Sequence, residues 1–162
     1  SAAKKIIAAP PEGLQTVGVY VDPSHQDVED LQSDWIQLHG EETAEEVTAI
    51  SRLSGRKVIR GFHFQTQACQ LWDAHPHVAA LLLDGPRAGS GESFDHGILA
   101  ELMGTLKKPI ILAGGLDPEN VAEIIRLMRP WGVDVSSGVE SKPGTKDHGR
   151  ITAFCQAVRS AE

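Results

Sequence analysis

A few residues stand where their types and spacing could do chemistry. Asp84 closes the apolar run Leu81-Leu82-Leu83 just before Gly85. A carboxyl at the end of a buried strand serves either as a proton donor facing a ligand or as a cap on the loop that follows. Gly114-Gly115 comes after Ile110-Ile111-Leu112, and Ser137-Gly138 comes after Val133 and Val135. Turns of this composition leave backbone N–H groups open to an anion such as a phosphate, although glycines also occur simply as turn formers. Gly89-Ser90-Gly91, in the loop after Asp84, could close over the same ligand. His39 ends a short apolar run and could touch a substrate or serve in packing; Gln37, two residues earlier, shares its side of the strand.

Other reactive residue types call for no special chemistry. The chain has seven histidines, but His75-Pro76-His77 is followed by no third ligand at useful spacing, so they read as surface histidines and no metal is expected. The two cysteines, Cys69 and Cys155, lie far apart in helical contexts and read as buried thiols. Trp35, Trp72 and Trp131 stand at element ends and read as core or rim packing, since they do not gather into a stacking platform.

Elements must hold these residues in place. Residues 1–9 have helical spacing and stop at Pro10-Pro11; residues 16–21 form a strand, and Asp22-Pro23-Ser24 starts a brief helix ending at Leu31. The strand 35–38 leads to a helix capped by Thr43 with Glu46 three residues on, its inner face expected at Val47, Ile50 and Leu53 and its end at Gly55. Residues 57–62 form a strand, 66–74 a helix, 79–83 a nearly all-apolar strand and 98–106 a helix. After the run beginning at Ile110, Asp117-Pro118 supplies an N-cap and a first-turn proline. Val121, Ile124, Ile125 and Met128 then form one apolar stripe, and Pro130 ends that helix. A strand over 133–135 and a helix over 150–160 complete the chain. Regular βα alternation, without a second compositional zone, predicts one α/β domain over residues 1–162 with a parallel sheet.

A formal charge of −7 argues against nucleic-acid or membrane-surface partners, while a phosphorylated small molecule needs only local N–H groups. No apolar run is long enough to span a bilayer, and the start of the chain does not read as a signal peptide, so the expected compartment is cytoplasmic.

Several stretches together resemble phosphoribosylanthranilate isomerases of tryptophan biosynthesis: LAGGLDPENVAE at 112–123, GVDVSSGVESKPGTKD at 132–147, TVGVYVD at 16–22, IQLHG at 36–40, and LLLDG with GSGESFD between 81 and 95. They occur in the family's order and cover nearly the whole chain. The resemblance implies a TIM (β/α)8 barrel and an Amadori rearrangement of N-(5-phosphoribosyl)anthranilate to 1-(2-carboxyphenylamino)-1-deoxyribulose 5-phosphate, with no cofactor. It also implies that Asp84 is the general acid. By the same resemblance the family begins with a strand, a helix and a second strand ahead of the helix that Ser1 opens here. The chain therefore reads as incomplete, with about six of eight βα units and the first two strands absent. Its strand edges at 16–21 and 133–135 would be left for a complementing N-terminal segment or a second copy.

The family's general base is a cysteine of that first strand, and neither Cys69 nor Cys155 matches it, so the base is assigned to no residue. Arg87, in the loop after Asp84, reads as a solvated arginine, and Glu92 departs from the lysine common in the family. The alternative to an isomerase is a non-catalytic phosphate-binding fragment that needs a complementing segment. Some other phosphate-handling barrel is disfavoured by the combination of IQLHG with VDVSSGVE.

Overall fold

Short β-branched and leucine-rich runs separated by amphipathic stretches cannot bury themselves alone, and they pair as parallel strands joined by helical crossovers. The computed structural model describes residues 2–85 and 96–161. Strand order follows chain order from β1 to β6. The chain divides into two compact units, residues 1–62 with 67–81, and residues 63–66 with 82–162.

The first unit opens with α1 (Ala2–Ile7) and β1 (Val17–Tyr20), followed by α2 (His25–Asp30), β2 (Trp35–Leu38), α3 (Ala44–Ser54), β3 (Lys57–His63) and α4 (Thr66–Ala74). β1 pairs in parallel with β2, Val17 opposite Trp35, and β2 with β3, Trp35 opposite Lys57. Ile36 and Leu38 are fully buried and Gln37 nearly so, because β2 is covered on both faces. Ser24 and Thr43 each make a capping box, with Asp27 and Glu46 returning the bond to the cap backbone. Gly55 ends α3 at φ 66°, as a C-terminal glycine does. The inner face of α3 differs from the expected one: Val47 and Ile50 are buried, but Leu53 is 64% exposed. At 100° per residue Leu53 lies well round the helix from Val47, whereas Ser54 falls almost in line with it.

The second unit takes the end of β4 (Ala80–Asp84), then α5 (His96–Met103), β5 (Ile110–Ala113), α6 (Val121–Met128) and β6 (Gly132–Val133). A one-turn 3₁₀ helix (Ser137–Val139), a hairpin of β7 (Glu140–Lys142) and β8 (Thr145–Lys146), and α7 (His148–Ala161) follow. β5 and β6 pair in parallel. The stripe on α6 is as expected: Val121 is fully buried with Leu116, Val139 and Phe154, while Ile124 and Ile125 pack against the same cluster. β6 is shorter than the 133–135 strand read from the sequence, although the Asp134 N–H still reaches the Leu112 carbonyl at 2.8 Å. Helix α6 begins at Val121, not at Pro118. Residues 118–120 form a turn whose N–H groups at Glu119 and Asn120 are held by the Asp117 carboxylate, both at 2.9 Å. The hairpin was not anticipated; its turn is Pro143-Gly144, with Gly144 at φ 78°.

Candidate active site

Asp84 is the last residue of β4, and its side chain is 29% exposed. Backbone bonds on two sides fix its position. The Phe64 N–H donates to the Asp84 carbonyl at 3.2 Å, and the next residue, Gly85, donates to the Ala113 carbonyl at 3.0 Å. Gly114 follows directly at φ 87°, and a Cβ there would stand 2.5 Å from Asp84 Oδ1 and 2.6 Å from the Gly85 carbonyl oxygen. The carboxyl and the first glycine turn are therefore in contact. His63, the last residue of β3, places Nδ1 4.0 Å from Asp84 Oδ2. Sequence reasoning ended that strand at Phe62 and missed this neighbour.

The two glycine-bearing turns also meet. Gly115 has φ 64°, and its carbonyl accepts from Asn120 Nδ2 at 2.9 Å. A Cβ on Gly138 would collide with the Leu116 carbonyl oxygen and lie 3.1 Å from Asp117 Cα. The Gly138 carbonyl is held by Arg150 Nε at 2.9 Å, and Lys146 Nζ reaches the Ser136 carbonyl at 2.8 Å and Glu140 Oε1 at 2.9 Å. That Lys146 bond, with the Gly144 N–H, holds the Glu140 carboxyl below the usual glutamate range. One inference from composition needs correction here. Gly114 and Gly138 are required by the chain's own backbone packing, so their lack of a side chain is not in itself a sign of a ligand.

In the first unit the ends of β1, β2 and β3 carry a buried polar array. Arg60 is 4% exposed and Glu42 5%, and Arg60 Nη1 lies 3.2 Å from Glu42 Oε2. The guanidinium also donates to the carbonyls of Leu38 at 2.9 Å, Gly61 at 2.7 Å and Gly40 at 2.8 Å, while its face lies 4.9 Å from the Trp72 ring. Arg60 Nε is buried without a hydrogen-bond partner among the described residues. Glu42 accepts from the N–H groups of Asp22 and Gly40, both at 3.0 Å, and Asp22, at φ 45°, accepts from the Glu41 N–H at 2.7 Å. These carbonyl bonds clamp the backbone on either side of His39. His39 is half-buried, with Nδ1 3.3 Å from Gln37 Nε2, and a Cβ on Gly61 would lie 2.8 Å from that nitrogen. Arg60 and Glu42 were not singled out from sequence. An arginine inside the apolar run Val58-Ile59 was the available signal, because a buried charge demands a partner.

Other residues lie elsewhere. Cys69 is buried on α4, but Cys155 on α7 is exposed, contrary to the expectation that both are buried; it falls off the stripe through which Phe154 packs. Trp72 is 6% exposed and packs as expected, whereas Trp131 is 66% exposed just before β6. His75 sits against Trp72 with ring centroids 5.4 Å apart and receives the His77 N–H at 3.3 Å, a local packing role. Gly89, Ser90, Gly91, Arg87 and Glu92 lie outside the described residues.

Strands joined by helices, with a carboxyl and paired glycine turns following successive strands, define an α/β protein of barrel-enzyme type, in which chemistry is carried by the loops after the strands. The family model described as N-(5'phosphoribosyl)anthranilate (PRA) isomerase matches residues 1–157, and the chain belongs to this family. The N-(5'-phosphoribosyl)anthranilate isomerase of Pseudomonas fluorescens (strain Pf0-1) is 42% identical over 167 residues, covering 97% of this chain and 78% of the relative. Among solved structures, the phosphoribosyl anthranilate isomerase of Thermotoga maritima superposes with a TM-score of 0.83 at 32% identity, covering 98% of this chain and 79% of its own. A phosphoribosyl anthranilate isomerase in complex with reduced 1-(o-carboxyphenylamino)-1-deoxyribulose 5-phosphate gives 0.81 at 31% identity, covering 98% and 78%. The family's activity is an isomerisation in tryptophan biosynthesis.

Proposed function

We propose that the chain performs the family's Amadori rearrangement with Asp84 as general acid and the substrate phosphate held between the Gly114-Gly115 and Ser137-Gly138 turns. The observation that carries this reading is the contact of Asp84 with Gly114 and of Gly138 with Leu116–Asp117, which joins carboxyl and both turns in one unit. A sugar phosphate anchored at the turns would bring its ring oxygen toward the carboxyl. Asp84 would deliver the proton that opens the furanose, and loss of a proton from the neighbouring carbon would give the enolamine, which becomes the aminoketose. Backbone N–H groups at such turns suit a phosphate without a cluster of basic side chains.

Both thiols lie on helices and not at strand ends, Cys69 buried on α4 and Cys155 exposed on α7. We assign removal of the second proton to a cysteine on a complementing N-terminal βαβ segment, which would complete a single eight-stranded barrel domain. Support comes from β1, a terminal strand of the sheet, where Val17, Val19 and Val21 are 43%, 60% and 67% exposed and would be covered by such a segment or by a second copy. His39, on the strand end clamped by Arg60, is a further candidate for substrate contact, and Gly89 and Gly91 retain that role as a proposal from sequence. A cytoplasmic setting, where thiols such as Cys155 stay reduced, fits the same reading. The test is conversion of N-(5-phosphoribosyl)anthranilate, followed by its fluorescence, with the chain alone and with the segment added. Turnover only in the second case supports the proposal; turnover by the chain alone would return the base to these 162 residues.

A further inference from the structure

His63 has no part in the chemistry described so far, yet among the described residues it is an ionisable side chain that faces Asp84. Its side chain is 82% exposed, and Nδ1 stands 4.0 Å from Asp84 Oδ2, the oxygen turned away from the Gly114 contact at Oδ1. The bond from the Phe64 N–H to the Asp84 carbonyl, at 3.2 Å, ties the two strand ends together immediately beside it. The ring can close the remaining gap by turning about its broad Cβ–Cγ torsion, which costs little for a side chain so open to solvent.

We infer that His63 is a proton relay acting through Asp84: it returns the proton that the carboxyl gives up in each turnover. This rests on Asp84 being the general acid. When the furanose opens, the Asp84 O–H bond breaks, the proton joins the ring oxygen and a carboxylate remains. The His63 imidazolium then passes its Nδ1 proton to Asp84 Oδ2 and is left neutral with its proton on Nε2, and water or a buffer acid reprotonates Nδ1. The proton taken from the neighbouring carbon is given back to carbon when the enolamine ketonises. One proton enters through His63 at the ring oxygen and one leaves from the enol hydroxyl, so the isomerisation gains and loses none. Histidine suits the task because it both accepts and releases protons near neutrality.

The reloading step affects every turnover except the first, and that distinguishes a relay from a merely structural histidine. In the active enzyme carrying this chain, His63→Gln and His63→Ala should leave the first turnover at the native rate in a rapid-mixing experiment. Later turnovers in dilute buffer should slow by about tenfold, less than the about 10²–10⁴-fold carried by a donor that touches substrate. Added imidazole should restore the steady-state rate of both variants without changing KM, and should leave the native enzyme unaffected. Steady-state turnover at the native rate in dilute buffer, or a loss that imidazole does not restore, would overturn the relay. Asp84→Asn separates the two readings: if it keeps full kcat, the acid assignment fails and the relay with it, whereas its loss beside unaffected His63 variants sinks the relay alone.

Discussion

Gly115 is the residue on which the phosphate proposal is most exposed, because it does not share the packing reason that accounts for Gly114 and Gly138. Gly114 has Asp84 and Gly85 where a Cβ would go, and Gly138 has the Leu116 carbonyl. For Gly115 the constraint is φ 64°, a left-handed conformation that a β-branched residue resists. Gly115→Val should therefore disturb the turn and weaken binding of the phosphorylated product by at least about tenfold, or about 1.4 kcal/mol. Calorimetry on folded variant protein would show it, and an unchanged Kd would remove the turn from the binding site. The buried Arg60–Glu42 pair shows a limit of reading residues singly. Arg60 lies within a strand read from the sequence without being singled out, but it bonds the carbonyls of Leu38, Gly40 and Gly61 and so sets the backbone that carries His39. Its partners on β2 and the following loop are about twenty positions away in sequence, beyond any local pattern.

Local pattern was informative at several places where the interacting groups lie within one helical turn. The capping boxes Ser24 with Asp27 and Thr43 with Glu46 are of this kind, since both partners of each bond sit three residues apart. Bonds from the Thr43 backbone and side chain hold the Glu46 carboxyl below its ordinary 4.5. A carboxyl whose folded pKa is depressed adds stability above its unfolded pKa and loses it as pH falls through the folded one. Glu46→Gln should therefore lower Tm at pH 7, and the difference from the native protein should shrink as pH is brought below 4.5. A difference that stays constant with pH would mean that the Glu46 charge contributes nothing to the cap. The six strands, the Gly55 stop and the α6 stripe were legible for the same reason: period and punctuation are local. Leu53 was misplaced because a three-residue step from Ile50 drifts away from the axis through Val47. The β7–β8 hairpin was missed because its strands are short and polar, leaving only Pro143-Gly144 as a signal. His63 went unseen because its neighbour Asp84 lies twenty-one positions on, and the approach appears only when β3 is followed to its last residue.

At the scale of the whole molecule, the terminal strands and their exposed valines bear on how the chain behaves alone. Val17, Val19 and Val21 alternate along the β1 end of the sheet, and exposed apolar side chains on a terminal strand favour self-association. The isolated chain should therefore elute as mixed larger species in size-exclusion chromatography, and addition of an N-terminal βαβ segment of the kind proposed above should give a single species. A monodisperse isolated chain would count against complementation at that edge. The central claim, that these strand ends form an isomerase site with Asp84 as its proton donor, is tested most directly by kcat of the complemented molecule with and without Asp84→Asn. The account predicts a kcat lower by about 10²–10⁴-fold with product affinity nearly unchanged; a variant that keeps native kcat would contradict it and leave Asp84 as the cap of its loop.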